Sequence, residues 1–167
     1  MKPGMKTIQR VSSTRTFAKI APHVIPLLDR GVHRLTRGKV MLSAQMLPSV
    51  ILTATGAKSG QPRRTPLACM PEKAAASEGG TSTWIVIGSN FGRPGHPAWT
   101  ANLLAHPDAE ISWKGRDIPV RATLLEGAER ERVWQEVLRF WPPYAKYQAR
   151  VERQIRLFRL TSAASAP

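Results

Sequence analysis

Thr53-Ala54-Thr55-Gly56-Ala57-Lys58-Ser59-Gly60-Gln61-Pro62-Arg63-Arg64-Thr65-Pro66-Leu67 is the stretch on which the fold turns. Apolar runs flank it, residues 49–52 before and 67–70 after, so it reads as strand, tight loop, strand. The loop holds two glycines, three cations and several hydroxyl or amide donors, with no acid among them. Glycine lets backbone N–H groups turn toward a ligand, while Lys adds a point charge and Arg a fork of donors. This is the chemistry of a phosphate cradle; the plainer alternative is a hairpin turn that is basic without a ligand. A Walker A loop is excluded, because that motif needs Lys directly after its last Gly and another Gly five residues earlier. Here Ala57 stands between Gly56 and Lys58, and position 51 is Ile. The segment also runs on into a strand where a P-loop would open a helix.

Charge points the same way. Residues 1–64 carry 12 Lys or Arg against the single acid Asp29, and residues 65–167 carry 13 against 10, giving the formal +14 of the whole chain. So uneven a field favours an anionic partner: an acidic small ligand, nucleic acid or an anionic membrane surface. Nucleic acid is the weakest of these, since the basic third has no recognised module and no interleaved aromatics on which bases could stack.

The 167 residues, 42 % of them hydrophobic, suit one domain with one sizeable core. The lone cysteine, Cys69, allows no internal disulfide and falls in an apolar segment, where a buried inert thiol is expected. That usage fits a reducing cytoplasm. His23, His33, His96 and His106 are dispersed and no CxxC is present, so no metal site is expected. No run reaches the roughly 18 apolar residues of a membrane span, and the polar first 16 residues lack the apolar core of an export signal.

Along the chain, residues 1–14 read as a flexible basic arm. Residues 15–40 form an N-terminal segment in which Phe17, Ile20, Val24, Leu27, Leu28 and Leu35 recur at helical steps, with Pro22 and Pro26 kinking or splitting the helix. Its face either covers the rest of the protein or, between residues 15 and 35, lies on anionic lipid. Residues 41–162 make the main domain. Residues 72–82 read as a loop, 83–89 as a buried strand and 90–95 as a loop; Pro97 then reads as the first residue of a helix over 98–105. Residues 109–113 and 118–125 read as a hairpin about Lys114-Gly115-Arg116. A charged amphipathic helix follows over 129–140, with Val133, Val137 and Leu138 inward. Pro142-Pro143 break it, a second helix covers 144–153, a last strand 155–160, and residues 163–167 are a tail. About six largely antiparallel strands with few helices between them predict a mainly β fold, a small barrel or a strongly curled sheet. No GxGxxG opens a helix, which weighs against a dinucleotide fold.

Three motifs in order carry a family resemblance. They are Thr55-Gly56-Ala57-Lys58-Ser59-Gly60-Gln61-Pro62-Arg63 with Thr65-Pro66-Leu67; Gly88-Ser89-Asn90-Phe91-Gly92 leading to His96-Pro97-Ala98-Trp99 and Asn102-Leu103; and Trp141-Pro142-Pro143-Tyr144-Ala145-Lys146-Tyr147-Gln148. Over about residues 20–162 the chain resembles the deazaflavin-dependent nitroreductases, split β-barrel proteins of actinobacteria that use coenzyme F420. The resemblance implies an F420H2-dependent reductase passing a hydride to an electrophilic acceptor such as a quinone, enone or nitroaromatic. It implies that Lys58, Ser59, Gly60, Gln61, Arg63 and Arg64 hold the phosphate and acidic tail, with Pro66 and Leu67 under the ring. Gly88, Ser89, Asn90 and Phe91 would give backbone donors at the deazaflavin edge, and Pro97, Trp99 and Asn102 would shape the pocket. Tyr144 and Tyr147, three apart and so on one helix face, would line the substrate side and with Ser89 serve the chemistry; His96 is a cap or pocket wall. Some members carry Tyr where this chain has Trp141, which puts nitroimidazole reduction in doubt. Members often pair their barrels, which leaves room for a homodimer. The rival reading is a non-catalytic split-barrel protein binding F420 or FMN.

Overall fold

The computed structural model describes residues 47–72 and 82–162. The expected basic arm, the expected N-terminal helical segment with the choice between barrel and lipid for its face, most of the 72–82 loop and the tail lie outside the described residues.

The alternation in Ser-Val-Ile-Leu-Thr-Ala-Thr shows why the first strand forms. Val50, Leu52 and Ala54 are buried while their neighbours are half-exposed, the period-two pattern of a strand with one face inward. There are six described strands: β1 (Ser49–Thr55), β2 (Pro62–Pro71), β3 (Thr83–Ile87), β4 (Asp108–Trp113), β5 (Arg116–Leu124) and β6 (Leu157–Ser162). All pairs are antiparallel, in the order β1-β2-β3-β6-β5-β4, and β4 bonds back to β1 to close the barrel. The curled-sheet alternative gives way to full closure. Lys114 and Gly115, at φ 51° and 79°, make the two-residue turn between β4 and β5 whose twist matches paired strands.

The described helices are α1 (Ala98–Ala105) between β3 and β4, then α2 (Gly127–Phe140) and α3 (Pro143–Gln148) between β5 and β6. They divide the apolar residues into two cores. Val50, Leu52, Trp84, Val86, Ile111, Phe158 and Leu160 fill the barrel. On the outside of the wall, Ile85 and Leu157 meet Val133, Val137, Trp141, Tyr144 and Tyr147 from α2 and α3. β3 therefore buries both faces, which is why its sequence is continuously apolar.

Some boundaries differ from the sequence expectation. Residues 63–66, expected in the loop, belong to β2, so the basic loop shortens to residues 56–61. Pro97 is the N-cap of α1 with ψ 141°, not its first helical residue. The helix expected over 144–153 ends at Gln148, and the last strand begins at Leu157 rather than Ile155. The cause is one side chain: the Gln148 amide donates to the Arg153 carbonyl at 2.9 Å and accepts from the Ile155 N–H at 2.9 Å. These bonds satisfy a non-helical segment that local propensity would have continued as helix.

Because neighbouring strands alternate in direction, the ends of β1, β3 and β5 and the starts of β2, β4 and β6 gather at one rim. Helix α1 plugs that rim: Trp99 and Leu103 enter the barrel core, and the Trp99 ring lies 5.8 Å from Phe158. The expected site residues 58–61 of the first motif and those of the second fall on this end, while Pro66 and Leu67 lie further along β2, paired with Ile51 and Val50.

Candidate functional site

The basic loop is a tight β1–β2 turn, closed by Gly56 N–H to the Gln61 carbonyl at 2.9 Å and Gly60 N–H to the Gly56 carbonyl at 2.8 Å. Gly60 adopts φ +64° with open space around its missing Cβ, whereas a Cβ on Gly56 would meet Ser59 Oγ at 2.5 Å. Ser59 Oγ accepts from the Gln61 N–H and from Arg63 Nη2, each at 3.3 Å. Lys58, Gln61, Arg63 and Arg64 are exposed. Among the described residues none of the three cations is in an ion pair. Pro66 is exposed further along β2, and Leu67 packs on the edge of the barrel core. The loop is fixed to the plug: Asn102 Oδ1 accepts the Ala57 N–H at 2.9 Å. Asn102 thus braces the cradle, while Trp99, 6 % exposed, is chiefly a core residue.

The second loop, between β3 and α1, is built against its own preferences. Ser89 is right-handed at φ −68°, then Asn90, Phe91 and Gly92 all take positive φ (48°, 55° and 74°). For Asn90 and Phe91 this region is disfavoured by clash of Cβ with the backbone. Gly92 has no alternative: a Cβ there would lie 3.0 Å from both Cα and carbonyl O of Tyr147. Gly88 is equally confined, its absent Cβ facing Thr100 Cγ2 at 3.0 Å and the Arg156 carbonyl at 3.2 Å. Asn90 Nδ2 donates to the Gly95 carbonyl at 2.8 Å, and the Phe91 ring meets Tyr147 edge-on at 6.3 Å.

Tyr147 in turn stands edge-on to Tyr144 at 5.8 Å, and both are buried in the outer core. Burial, with Tyr147 and Cys69 nearby, pushes the Tyr144 phenol well above its ordinary value. It stays protonated and neutral. The structure brings Tyr147 up to the Ser89–Phe91 turn and sets Tyr144 behind it.

One residue at this rim escaped the sequence reading. Arg153, in the segment leading to β6, reaches back to the β3–α1 loop with every donor it has. Nε bonds the Pro94 carbonyl at 2.9 Å; Nη1 bonds the Gly88 carbonyl at 3.2 Å and contacts His96 Nδ1 at 3.3 Å; Nη2 bonds the Ser89 and Arg93 carbonyls, each at 3.0 Å. A guanidinium cannot accept, so His96 Nδ1 must, which places its proton on Nε2. Desolvation, then Arg156 and Arg153, hold the His96 pKa below its ordinary value, in keeping with a neutral ring. His96 is a brace of the loop. Beyond it, a groove of about 290 Å³ runs between His96, Leu124, Glu126, Arg130, Gln154 and Arg156.

Among the described residues no cluster of His, Cys, Asp and Glu could hold a metal ion. No described helix is long and apolar enough to cross a membrane.

Residues 29–162 match the family model described as F420H(2)-dependent quinone reductase. An F420H(2)-dependent quinone reductase of Mycobacterium tuberculosis is 34 % identical over 117 residues, covering 68 % of this chain and 73 % of that protein. A second M. tuberculosis protein, a putative F420H(2)-dependent quinone reductase, is 28 % identical over 65 % of this chain and 85 % of its own length. Among solved structures, an F420-H2 dependent reductase (FDR-A) superimposes with a TM-score of 0.57 at 35 % identity, over 68 % of this chain and 93 % of that one. A chain described as a domain-swapped dimer gives 0.59 at 31 % identity, over 78 % and 94 %.

Proposed function

The chain belongs to the F420H2-dependent quinone reductase family, and we propose from this that it uses reduced coenzyme F420 to reduce an electrophilic small molecule, a quinone first, with enones and nitroaromatics as further acceptor classes. The observation that carries the reading is the acid-free cationic loop set on the plugged rim beside the Ser89–Phe91 turn.

The donor set fits the cofactor. F420 bears a phosphodiester and an oligoglutamate tail; Lys58 on the turn and Arg63 and Arg64 at the start of β2 are three exposed cations within seven residues. Ser59, Gly60 and Gln61 add neutral donors between them. Arginine forks suit phosphate and carboxylate, and Lys contributes a point charge. Pro66, exposed on β2 beyond the loop, offers an apolar surface, while Leu67 beside it in the strand turns to the barrel core.

When bound, F420 supplies the hydride; the protein supplies orientation, water exclusion and charge stabilisation. α1 makes the barrel solid, so a ligand must lie across the rim, between the cradle and the β3–α1 loop, with Pro97 at the head of the plug. Gly88, Ser89, Asn90 and Phe91 line that loop; the Gly88 N–H is donated to the Arg156 carbonyl at 2.8 Å, and the Ser89 and Asn90 N–H groups are those that can meet negative charge developing on an acceptor oxygen. Tyr147, neighbour to Phe91 and Gly92, and Tyr144 behind it are the residues proposed to hold a proton. Arg150 lies over the Tyr147 ring at 5.8 Å and adds positive charge beside it.

Tryptophan-fluorescence titration with F420, and with FMN in parallel, tests the assignment. F420 should bind the more tightly, and Lys58→Ala and Arg63→Ala should each weaken it about tenfold to a hundredfold, the range of a hydrogen bond to a charged group. Unchanged affinity in both variants overturns the cradle. Preference for FMN turns the reading to its flavin-binding rival. With reduced F420 and a naphthoquinone, full turnover by both Tyr144→Phe and Tyr147→Phe would remove tyrosine as proton donor.

A further inference from the structure

We propose that Arg153 is a positioning residue for the reaction: by holding the carbonyls of the β3–α1 loop from behind, it turns the Ser89 and Asn90 N–H groups toward the ligand side of the rim. This rests on the functional reading above, and it concerns a residue outside the motifs that led there.

Arginine has five N–H groups in a fixed planar fork, and here five acceptors meet them: the carbonyls of Gly88, Ser89, Arg93 and Pro94, and His96 Nδ1. All five lie on one loop, 57 to 65 residues away in sequence. In a trans peptide the carbonyl of one residue and the N–H of the next point in opposite directions. With the Gly88 and Ser89 carbonyls drawn to Arg153, the N–H groups of Ser89 and Asn90 face away from it. At the same place the backbone changes hand, from φ −68° at Ser89 to +48° at Asn90. That reversal makes successive N–H groups converge on a concave surface that seeks negative charge.

Such a conformation persists only when its surroundings over-determine it. Arg153 is the largest polar part of those surroundings. It is itself fixed, since its carbonyl accepts from Gln148 Nε2 at 2.9 Å and the other end of that amide holds the Ile155 N–H. Gln148, the last residue of the third motif, therefore acts on the rim through Arg153. Lysine cannot substitute, having three donors on one nitrogen and no fork.

The test uses the full chain carrying Arg153→Lys and, separately, Arg153→Gln. The first readout is amide hydrogen exchange without cofactor. Exchange at Gly92 and Arg93, whose N–H groups donate to the Ser89 and Asn90 carbonyls within the loop, should quicken tenfold or more in both variants, while Ala57 and Gly60 in the β1–β2 loop keep wild-type rates. The second is a split between binding and turnover. F420 affinity should stay within about threefold, while kcat with a naphthoquinone should fall about ten- to a hundredfold, the effect of misplacing a catalytic group by around an ångström. Lysine should not rescue it. Wild-type exchange in the loop of both variants overturns the proposal, as does full kcat in Arg153→Lys. Faster exchange throughout the barrel in both variants would make Arg153 a general stability residue and also overturn it. Should the wild type bind no F420 and turn over no acceptor, the functional reading fails, and the exchange data still decide whether Arg153 sets the loop.

Discussion

Two loops share one rim of this barrel and are made in opposite ways. The β1–β2 loop is local: its turn is closed by bonds within residues 56–61, Lys58 on it is exposed, and among the described residues its side tie is Ala57 N–H to Asn102 Oδ1. The β3–α1 loop is non-local: three consecutive residues at positive φ are held by Arg153, Tyr147 and Arg156 from the far end of the chain. Under the proposed function, a loop that holds a charged, flexible tail needs charge and donors more than exact placement, whereas a turn that meets a reacting centre needs placement; the contacts that fix the β3–α1 loop come from outside it.

Equal substitutions in the two loops should expose the difference most strongly. Gly92→Ala puts a Cβ 3.0 Å from the Tyr147 backbone at φ +74°. It should cost about 1–2 kcal/mol for the left-handed backbone and about 1–3 kcal/mol more for overpacking. Gly60→Ala, at φ +64° in open space, should carry only the backbone part, about 1 kcal/mol. Urea unfolding of both variants measures this, and equal losses would erase the contrast drawn here. Next in size, Asn102→Ala removes the acceptor of the Ala57 N–H. About 1 kcal/mol of stability should be lost, the net worth of one such bond, with faster exchange confined to the cradle.

The smallest effect comes from acid. The folded-state pKa of His96 is depressed, so the support given by its neutral ring is complete above the ordinary histidine value near 6.5. It is lost as pH falls below that value toward the folded pKa, when a cationic ring would face Arg153 and Arg156. Lowering pH from 7.5 to 5.5 should therefore shift the amide resonances of the β3–α1 loop and leave those of residues 57–60 in place. His96→Gln should abolish the shift. Equal movement in both loops would show that the acid response does not pass through His96.

The same contrast governs what could be read from the sequence. The wall was legible because period-two burial is written residue by residue, as in β1. The basic β1–β2 loop was legible as a turn between strands because its glycines and cations lie in a few consecutive residues. Cys69 followed from its apolar neighbours: it is fully buried, and burial pushes its thiol up to about 12. Arg153 gave no local sign. It stands in Ala149-Arg150-Val151-Glu152-Arg153, a run whose propensity suits a helix, and only the Gln148 amide and acceptors some sixty residues upstream make it something else. Closure was also hidden, since the β1–β4 pairing joins strands separated by half the barrel's sequence and leaves no mark on either.

That closure bears on how two copies of the chain could associate. Every described strand has a hydrogen-bonded neighbour on each side, but the cover is uneven: residues 62–68 of β2 pair with β1 alone and residues 116–119 of β5 with β4 alone. Pro62, Pro66 and Pro119 lack the N–H that an added strand would need on those stretches. Elsewhere in the ring a copy could join only after two seams open and a whole element is lent, a slow exchange that would set with protein concentration and history rather than by rapid equilibrium.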